Sequence, residues 1–425
     1  MKNYLQRVLP LLLAFSLSIS LFVPAAALTA DANEPAQALS DGVYMLLDPV
    51  TGMALYRTDS DTLGARSPDG SELFTVCSTD GGFLLSDQES GKALSDRATF
   101  TANGSVLSLT CSAGGKVSVA SADGSALTRS GDRILFADTD DADSTLWQLL
   151  AVDTSSADAK QTDASGSEGQ AEQSGSSIYF PSARSAASST VYAWGIDVSK
   201  HQGTVNWTSV ANSGVDFAII RIGYGSSNSA SITIDSQFYT NLNGALNAGL
   251  DVGLYLYSYA INAASATSEA NQVVSIIKNY PGKITYPIFM DIEDSVQASA
   301  GKTNNTAAIR AFVSTVKSAG YYCGYYSYLS FINNYFNKSQ LTDIDLWIAA
   351  YGANDGLPHS SVLSGFTSNT YQMWQYTSRG ASKVSGISSS GLDLNYAYVN
   401  YPSIIKSGGY NGFSNVPQDD GKSTY

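Results

Sequence analysis

Eight short apolar runs follow one another between residues 193 and 398, and they limit the possible folds of this chain more than any other feature. They read "AWGIDVS", "DFAIIRIGY", "DVGLYLYSY", "YPIFMDIE", "YYCGYYSY", "DLWIAAY", "YQMWQYT" and "LDLNYAY". Between the early runs lie helix-like stretches, such as "DSQFYTNLNGALNAG", "SATSEANQVVSIIKNY" and "NNTAAIRAFVSTVKSAG", each stopped by Gly or Pro. Strands alternating with helices predict parallel strands, crossover helices and closure into a barrel. Convincing helices are missing between the last three runs. The expectation is therefore an irregular TIM-like (β/α) barrel over residues 191–405, with helices after the first five strands and residues 406–425 as a loose tail.

In barrels of this kind the active site lies at the C-terminal ends of the strands. The fourth run continues as "YPIFMDIEDS", an uncharged strand that ends in acids. Asp291 and Glu293 are two apart and so share one face of a strand. Asp197 ends the first run. Asp393 lies in the eighth, which closes against the first. These acids are expected to converge at one mouth. Acid-x-acid pairs are common, and "DSD" at 59–61 is one in a loop-like setting, so position gives the pair its weight. The bland alternative is a solvated strand end, or a salt bridge to Arg221 or Lys200.

Paired carboxylates without a metal-ligand cluster point to glycoside hydrolysis. Clustered carboxylates in general raise one another's pKa, which suits an acid that must stay protonated. With 2 His and 3 Cys there is little material for a zinc site or a Cys-His protease, and no metal or cofactor is expected. Tyr255, Tyr257, Tyr326, Trp347, Tyr351 and Trp374 fall in or near strand ends, where aromatic faces can pack on sugar rings. The alternative for each is that it fills the barrel.

The ordered set "GIDVSKHQGTVNW" (195–207), "FAIIRIGYG", "NGALNAGLDVGLYLYSYA", "PIFMDIED", "GYYSYLSF", "LWIAAYG", "MWQYTS" and "GLDLNYA" resembles glycoside hydrolase family 25, the bacterial and phage lysozymes of the Chalaropsis type. The resemblance covers residues 192–401. It implies an irregular β/α barrel that cleaves the β-1,4 bond after N-acetylmuramic acid in peptidoglycan. The motif residues are Asp197, Asp291, Glu293 and Asp393. By resemblance Glu293 is the general acid, and Asp291 assists the substrate's N-acetyl group, whose oxygen attacks the anomeric carbon. Direct attack by water with inversion stays open. Asp197 and Asp393 would hold the network, and His201 a rim position. One departure is Leu256, where many members carry His or Trp after the third-strand tyrosine.

Two rival readings are open to the same residues. A chitinase-like barrel uses Asp-x-x-Asp-x-Asp-x-Glu, but Tyr286 and Phe289 stand at the upstream acid positions. A catalytically inactive wall-binding protein is disfavoured by the presence of all four motif acids.

The rest of the chain reads differently. Lys2 and Arg7 precede the apolar "LPLLLAFSLSISLFV", and "PAAALTADA" offers small residues for cleavage after Ala27, the pattern of a secretory signal over residues 1–27. The apolar run is short of the ~20 residues of a spanning helix, so no membrane association is expected after cleavage. The expected location is extracellular or wall-associated. The formal charge of −14 becomes −16 when Lys2 and Arg7 are removed, which argues against nucleic acid as a partner. Residues 153–190, rich in Ser, Ala, Gly, Gln and Asp, read as a flexible linker between two separately folding modules.

Residues 38–152 are strand-like and repeat: "YMLLDPVTGMAL", "FLLSDQESGKAL" and "VSVASADGSAL" share an apolar strand, an Asp-containing turn, Gly and a Leu at 55, 94 and 127. Three such units, with "STLWQLL" as closing strand, resemble a β-trefoil of the ricin-lectin type, although the Gln-x-Trp signature is missing. That resemblance implies binding of wall carbohydrate, beside the peptidoglycan glycan strands expected as substrate. Cys77 and Cys111 lie in this region and their pairing is left open. Cys323 reads as a small buried apolar residue.

Overall fold

The computed structural model describes residues 39–112, 116–130, 133–139, 142–155, 190–226, 231–366 and 370–414. The signal segment and most of the linker lie outside these residues. Among the described residues no helix is long and apolar enough to cross a membrane.

Residues 42–153 carry the strands β1 (Gly42–Leu47), β2 (Ala54–Arg57), β3 (Leu63–Arg66), β4 (Phe74–Thr79), β5 (Gly82–Asp87), β6 (Ala93–Leu94), β7 (Phe100–Thr101), β8 (Ser108–Ser112), β9 (Lys116–Ala120), β10 (Ala126–Ser130), β11 (Arg133–Ala137) and β12 (Leu146–Asp153). Six of them form an antiparallel ring, in which β1 pairs with β4, β4 with β5, β8 with β9, β9 with β12 and β12 with β1. Phe83 and Leu107 close the step from β5 to β8 by exchanging two 2.8 Å backbone bonds. The remaining strands form the hairpins β2–β3, β6–β7 and β10–β11.

The repeated sequence units map onto this pattern. Leu55, Leu94 and Leu127 are each the second residue of a hairpin strand and are buried in one core with Phe74, Val76 and Trp147. The glycine of each unit takes a left-handed backbone (Gly52 φ 74°, Gly91 φ 69°, Gly124 φ 90°), which the tight turn after each Asp or Ser requires. Two residues after the shared leucine, Arg57 reaches Asp87 of the next unit at 3.1 Å, and Arg129 reaches Asp48 of the first. Asp96 and Ser121 hold the third set of places, where no such ion pair can form. All three cysteines are free thiols.

The second region is a closed barrel of eight strands: β13 (Ala193–Val198), β14 (Phe217–Tyr224), β16 (Asp251–Tyr257), β17 (Ile288–Asp291), β18 (Cys323–Tyr328), β19 (Leu346–Ala349), β20 (Met373–Thr377) and β21 (Asp393–Ala397). The first seven run parallel in that order. A short β15 (Thr233–Asp235) folds back on β14. Helices α1 (Trp207–Asn212), α2 (Phe238–Asn247), α3 (Ala263–Ile277), α4 (Ser295–Ser318) and α5 (Leu329–Tyr335) follow the early strands, and α6 (Tyr401–Ser407) follows the last.

The eighth strand departs from the all-parallel expectation: β21 is antiparallel to both β20 and β13. A parallel return needs a long crossover, usually a helix. Between β20 and β21 the chain has only a 3₁₀ turn at Ala381–Lys383, so it reverses instead.

Strand periodicity divides the apolar residues into two layers. Ala193, Phe217, Ile219, Phe289, Tyr326, Trp347, Ala349, Met373 and Ala397 fill the barrel interior. Their neighbours Ile196, Ala218, Ile220, Ile288, Met290, Leu346 and Ile348 face the outer helices.

Two sequence expectations need correction. The packed chain does not end at residue 405. Asn411 is fully buried and donates its side-chain amide to the Ile284 carbonyl at 2.9 Å, while its side-chain oxygen accepts from Tyr322 N at 2.8 Å. It closes backbone groups at the N-terminal end of the barrel. The two regions are also not separate modules. Met45, Leu47, Ala54 and Leu150 belong to the barrel's outer core, and β12 pairs in parallel with β15. The reason is visible in β1 and β12. Tyr44 and Leu46 face the N-terminal core, and Met45 and Leu47 face the barrel. A strand buried on both faces reads as a continuous apolar run rather than an alternating one.

Candidate active site

Inward parity delivers the acids. Asp291, the last residue of β17, follows Phe289 on the interior face and is 4 % exposed. Glu293 keeps the same parity two residues beyond the strand and is also buried. The third acid of that run has another task. Asp294 caps α4, accepting from Val296 N at 2.9 Å, and its own N–H donates to Gln297 Oε1 at 2.9 Å.

Asp197 occupies the inward position near the end of β13 and is buried. Its Oδ2 accepts from Gln375 Nε2 at 2.9 Å and Asn395 Nδ2 at 2.7 Å. Gln375 Oε1 in turn accepts from Tyr326 Oη at 2.8 Å and Tyr351 Oη at 2.5 Å. Trp347 Nε1 donates to Asn395 Oδ1 at 2.8 Å. Asp393 is the first residue of β21 and the register partner of Asp197. Because β21 is antiparallel, its beginning lies at the same end of the barrel as the ends of the other strands.

The electrostatics tie the acids together. Burial pushes the Tyr326 hydroxyl far above its usual pKa, and the charges of Glu293, Asp291 and Asp197 push the same way. Burial also raises Tyr351, with Asp393, Asp197 and Glu293 adding to it. Tyr257 is raised by burial and then by Asp291, Glu293 and Asp294. These tyrosines therefore stay protonated and remain hydrogen-bond donors among carboxylates. All four predicted acids act on this one group of rings.

Of the six aromatic candidates, Tyr255, Tyr257, Tyr326 and Tyr351 lie on the inward face near the acids. Trp347 is inward too, but 1 % exposed, and it forms the floor under Tyr326, Phe289 and Tyr255. Trp374 is not part of the site. It has the opposite parity, packs with Tyr376 and Tyr396 in the outer layer and donates to the Ala350 carbonyl at 2.8 Å. Its neighbour Gln375 is the inward residue. Leu256 likewise faces the outer core, so the departure at that position does not line the mouth. His201 is half-buried in the turn after β13.

Gln375 and Asn395 are site residues that the motifs do not single out. The signal was their spacing: Asn395 is two residues after Asp393, and Gln375 is two after the inward Met373. Among the described residues no group of three or more His, Cys, Asp or Glu side chains is arranged to hold a metal ion.

Residues 196–386 match the model of glycosyl hydrolases family 25. The "Autolytic lysozyme" of Clostridium acetobutylicum is 29 % identical over 196 residues, covering 46 % of this chain and 53 % of that protein. "Lysozyme M1" of Streptomyces globisporus is 28 % identical over 204 residues, covering 46 % of this chain and 64 % of that protein. The chain thus spans between half and two thirds of the length of these curated relatives. Among solved structures, a bacterial lysozyme from Streptomyces coelicolor is 27 % identical, covering 49 % of this chain and 92 % of its own, with a TM-score of 0.38. Over residues 196–386 the barrel of this chain is thus similar to the glycosyl hydrolases of family 25.

Proposed function

We propose that this protein is a secreted N-acetylmuramidase that hydrolyses the β-1,4 bond between N-acetylmuramic acid and N-acetylglucosamine in peptidoglycan. The observation that carries the reading is the set of four inward acids, Asp197, Asp291, Glu293 and Asp393, gathered around Tyr326 and Tyr351 at one end of a family 25 barrel. Glu293 gives a proton to the leaving glycosidic oxygen as general acid. The substrate's acetamide oxygen attacks the anomeric carbon, and Asp291 balances the positive charge that develops on the acetamide nitrogen. Water then opens the cyclic intermediate, with Glu293 taking the proton back. Asp197, fixed by Gln375 and Asn395, sets the inner wall of the site together with Asp393.

The barrel reads as an irregular TIM-like barrel. What supports reading the N-terminal region as a β-trefoil is its ring of six strands with three hairpins and its threefold repeat of Leu and Gly positions, with an Asp–Arg pair at two of the three equivalent places. We assign it to wall carbohydrate, with the basic, apolar start of the chain acting as its export signal.

Mass spectrometry of borohydride-reduced peptidoglycan digests tests the bond assignment. Reduced N-acetylmuramic acid at the new ends is the expected product. N-acetylglucosaminitol at those ends would reject the muramidase reading.

A further inference from the structure

The N-terminal region reaches the candidate site through one buried cation. Lys200 lies in the turn just after β13, three residues past Asp197, and its side chain is only 6 % exposed. A lysine is rarely so deeply buried without a partner. Its Nζ donates to Asp153 Oδ2, at the end of β12, and to Ser155 Oγ at 2.8 Å. Tyr224 Oη donates to the same Asp153 oxygen at 3.2 Å. Burial raises the Asp153 carboxyl, but the hydrogen bonds from Lys200 and Ser155 outweigh it and hold the group below its ordinary pKa.

The backbone of Lys200 is fixed from the same side. Its N–H donates to Asp235 Oδ2 at 3.0 Å, and Arg221 Nε donates to that oxygen at 2.7 Å. Asp235 is also the register partner of Asp153 where β12 pairs with β15. Both ends of Lys200 are thus set by the seam between the two regions.

From Lys200 the connection continues to the acids. Residues 199–202 form a closed turn in which Ser199 N donates to Gln202 Oε1 at 2.8 Å and Ser199 Oγ accepts from His201 N at 3.2 Å. Gln202 Nε2 then donates to the Gly391 carbonyl at 3.2 Å, two residues before Asp393. One turn therefore touches the segments that carry Asp197 and Asp393.

We propose that Asp153, contributed by the N-terminal region, is a positioning residue for the catalytic mouth. Acting through Lys200 and the 199–202 turn, it fixes where Asp197 and Asp393 stand. The N-terminal region is then part of the catalytic unit, beyond any role in binding the wall. This rests on the muramidase reading for its kinetic arm only.

The test uses the full chain. Asp153→Asn keeps the shape but leaves the Lys200 charge unbalanced. Asp153→Leu with Lys200→Met removes both charges, and such paired apolar replacements commonly keep stability. On a soluble, purified glycan oligomer, kcat is expected to fall about tenfold in both variants with KM within about twofold, since small displacements of reacting groups are costly. The double variant is expected to regain the wild-type melting temperature without regaining kcat. Hydrogen exchange at amides 199–203 and 391–395 is expected to quicken in both. Wild-type kcat in the folded double variant, or wild-type exchange rates at those amides, would overturn the proposal. Should the unaltered protein fail to cleave the oligomer, the muramidase reading fails, and the exchange rates alone decide the positioning.

Discussion

Asp197 and Asp393 are direct register partners across β13 and β21, one near the end of its strand and the other at the beginning. They meet because β21 runs against its neighbours. Asp197 is buried and held by two amides, whereas Asp393 is half-buried. The two carboxylates are therefore unequal in environment, and the chemistry is expected to lie with the buried acids at the end of β17, Asp291 and Glu293.

Glu293→Gln keeps size and hydrogen bonding but removes the transferable proton. General acid catalysis typically contributes ~10²–10⁴-fold, and the release of reducing ends is expected to drop by at least about a hundredfold. Thermal stability should hold or rise, because one carboxylate leaves an acid-rich mouth. Normal turnover by this variant would move the general acid elsewhere.

Asp291→Asn is expected to lose most activity for a different reason, loss of charge beside the reacting acetamide. Its effect and that of Glu293→Gln should not multiply in the double variant, since residues that act as one unit are non-additive. Peptidoglycan lacking N-acetyl groups on muramic acid should be cleaved poorly by the unaltered protein. Ordinary rates on that substrate would exclude attack by the acetamide.

Gln375→Glu is nearly isosteric but turns the donor facing Asp197 into an acceptor. Activity is expected to fall at least about tenfold, and stability by on the order of 1–3 kcal/mol from the unsatisfied buried groups. Kinetics together with urea unfolding would measure both. An unchanged variant would mean that the Asp197 network has no part in the site.

Glu269 on α3 gives a pH-dependent prediction. Burial pushes its carboxyl up to about 7 from 4.5, although Ser258 Oγ and Tyr259 N donate to it at 2.6 and 3.2 Å. Its folded pKa is raised, so its contribution is fully present below about pH 4.5 and is lost as pH rises through about 7. The difference is on the order of 3 kcal/mol. Glu269→Gln should flatten the fall in stability between those two pH values in denaturant titrations. An unchanged slope would show that Glu269 titrates normally.

Leu47 joins the N-terminal region to the barrel's outer core. Leu47→Ala should cost about 2–5 kcal/mol. Because the core is shared, calorimetry should show one unfolding transition for both regions, displaced as a whole by the substitution. Two resolved transitions, with only the N-terminal one displaced, would show that the seam is weak.

The sequence by itself determined what depends on local order and spacing. The eight apolar runs are the eight barrel strands. The i, i+2 spacing put Asp291 and Glu293 on the inward face. The repeats placed Leu55, Leu94 and Leu127 at like positions in three hairpins. These features are legible because strand periodicity and turn chemistry act over a few residues. What the tertiary structure decided is which strand face meets which neighbour. Strand direction turned on the missing crossover before β21, and with it the meeting of Asp197 and Asp393. Parity sent Trp374 outward and Gln375 inward. The continuous run "YMLL" fits a strand buried on both faces, but that the barrel's outer layer supplies the second core of β1 depends on packing. Lys200 enters the sequence reading only as a salt-bridge partner for the strand-end acids, whereas in the fold it pairs with Asp153, 47 residues earlier. Such pairings depend on how distant segments pack, and no local pattern encodes them.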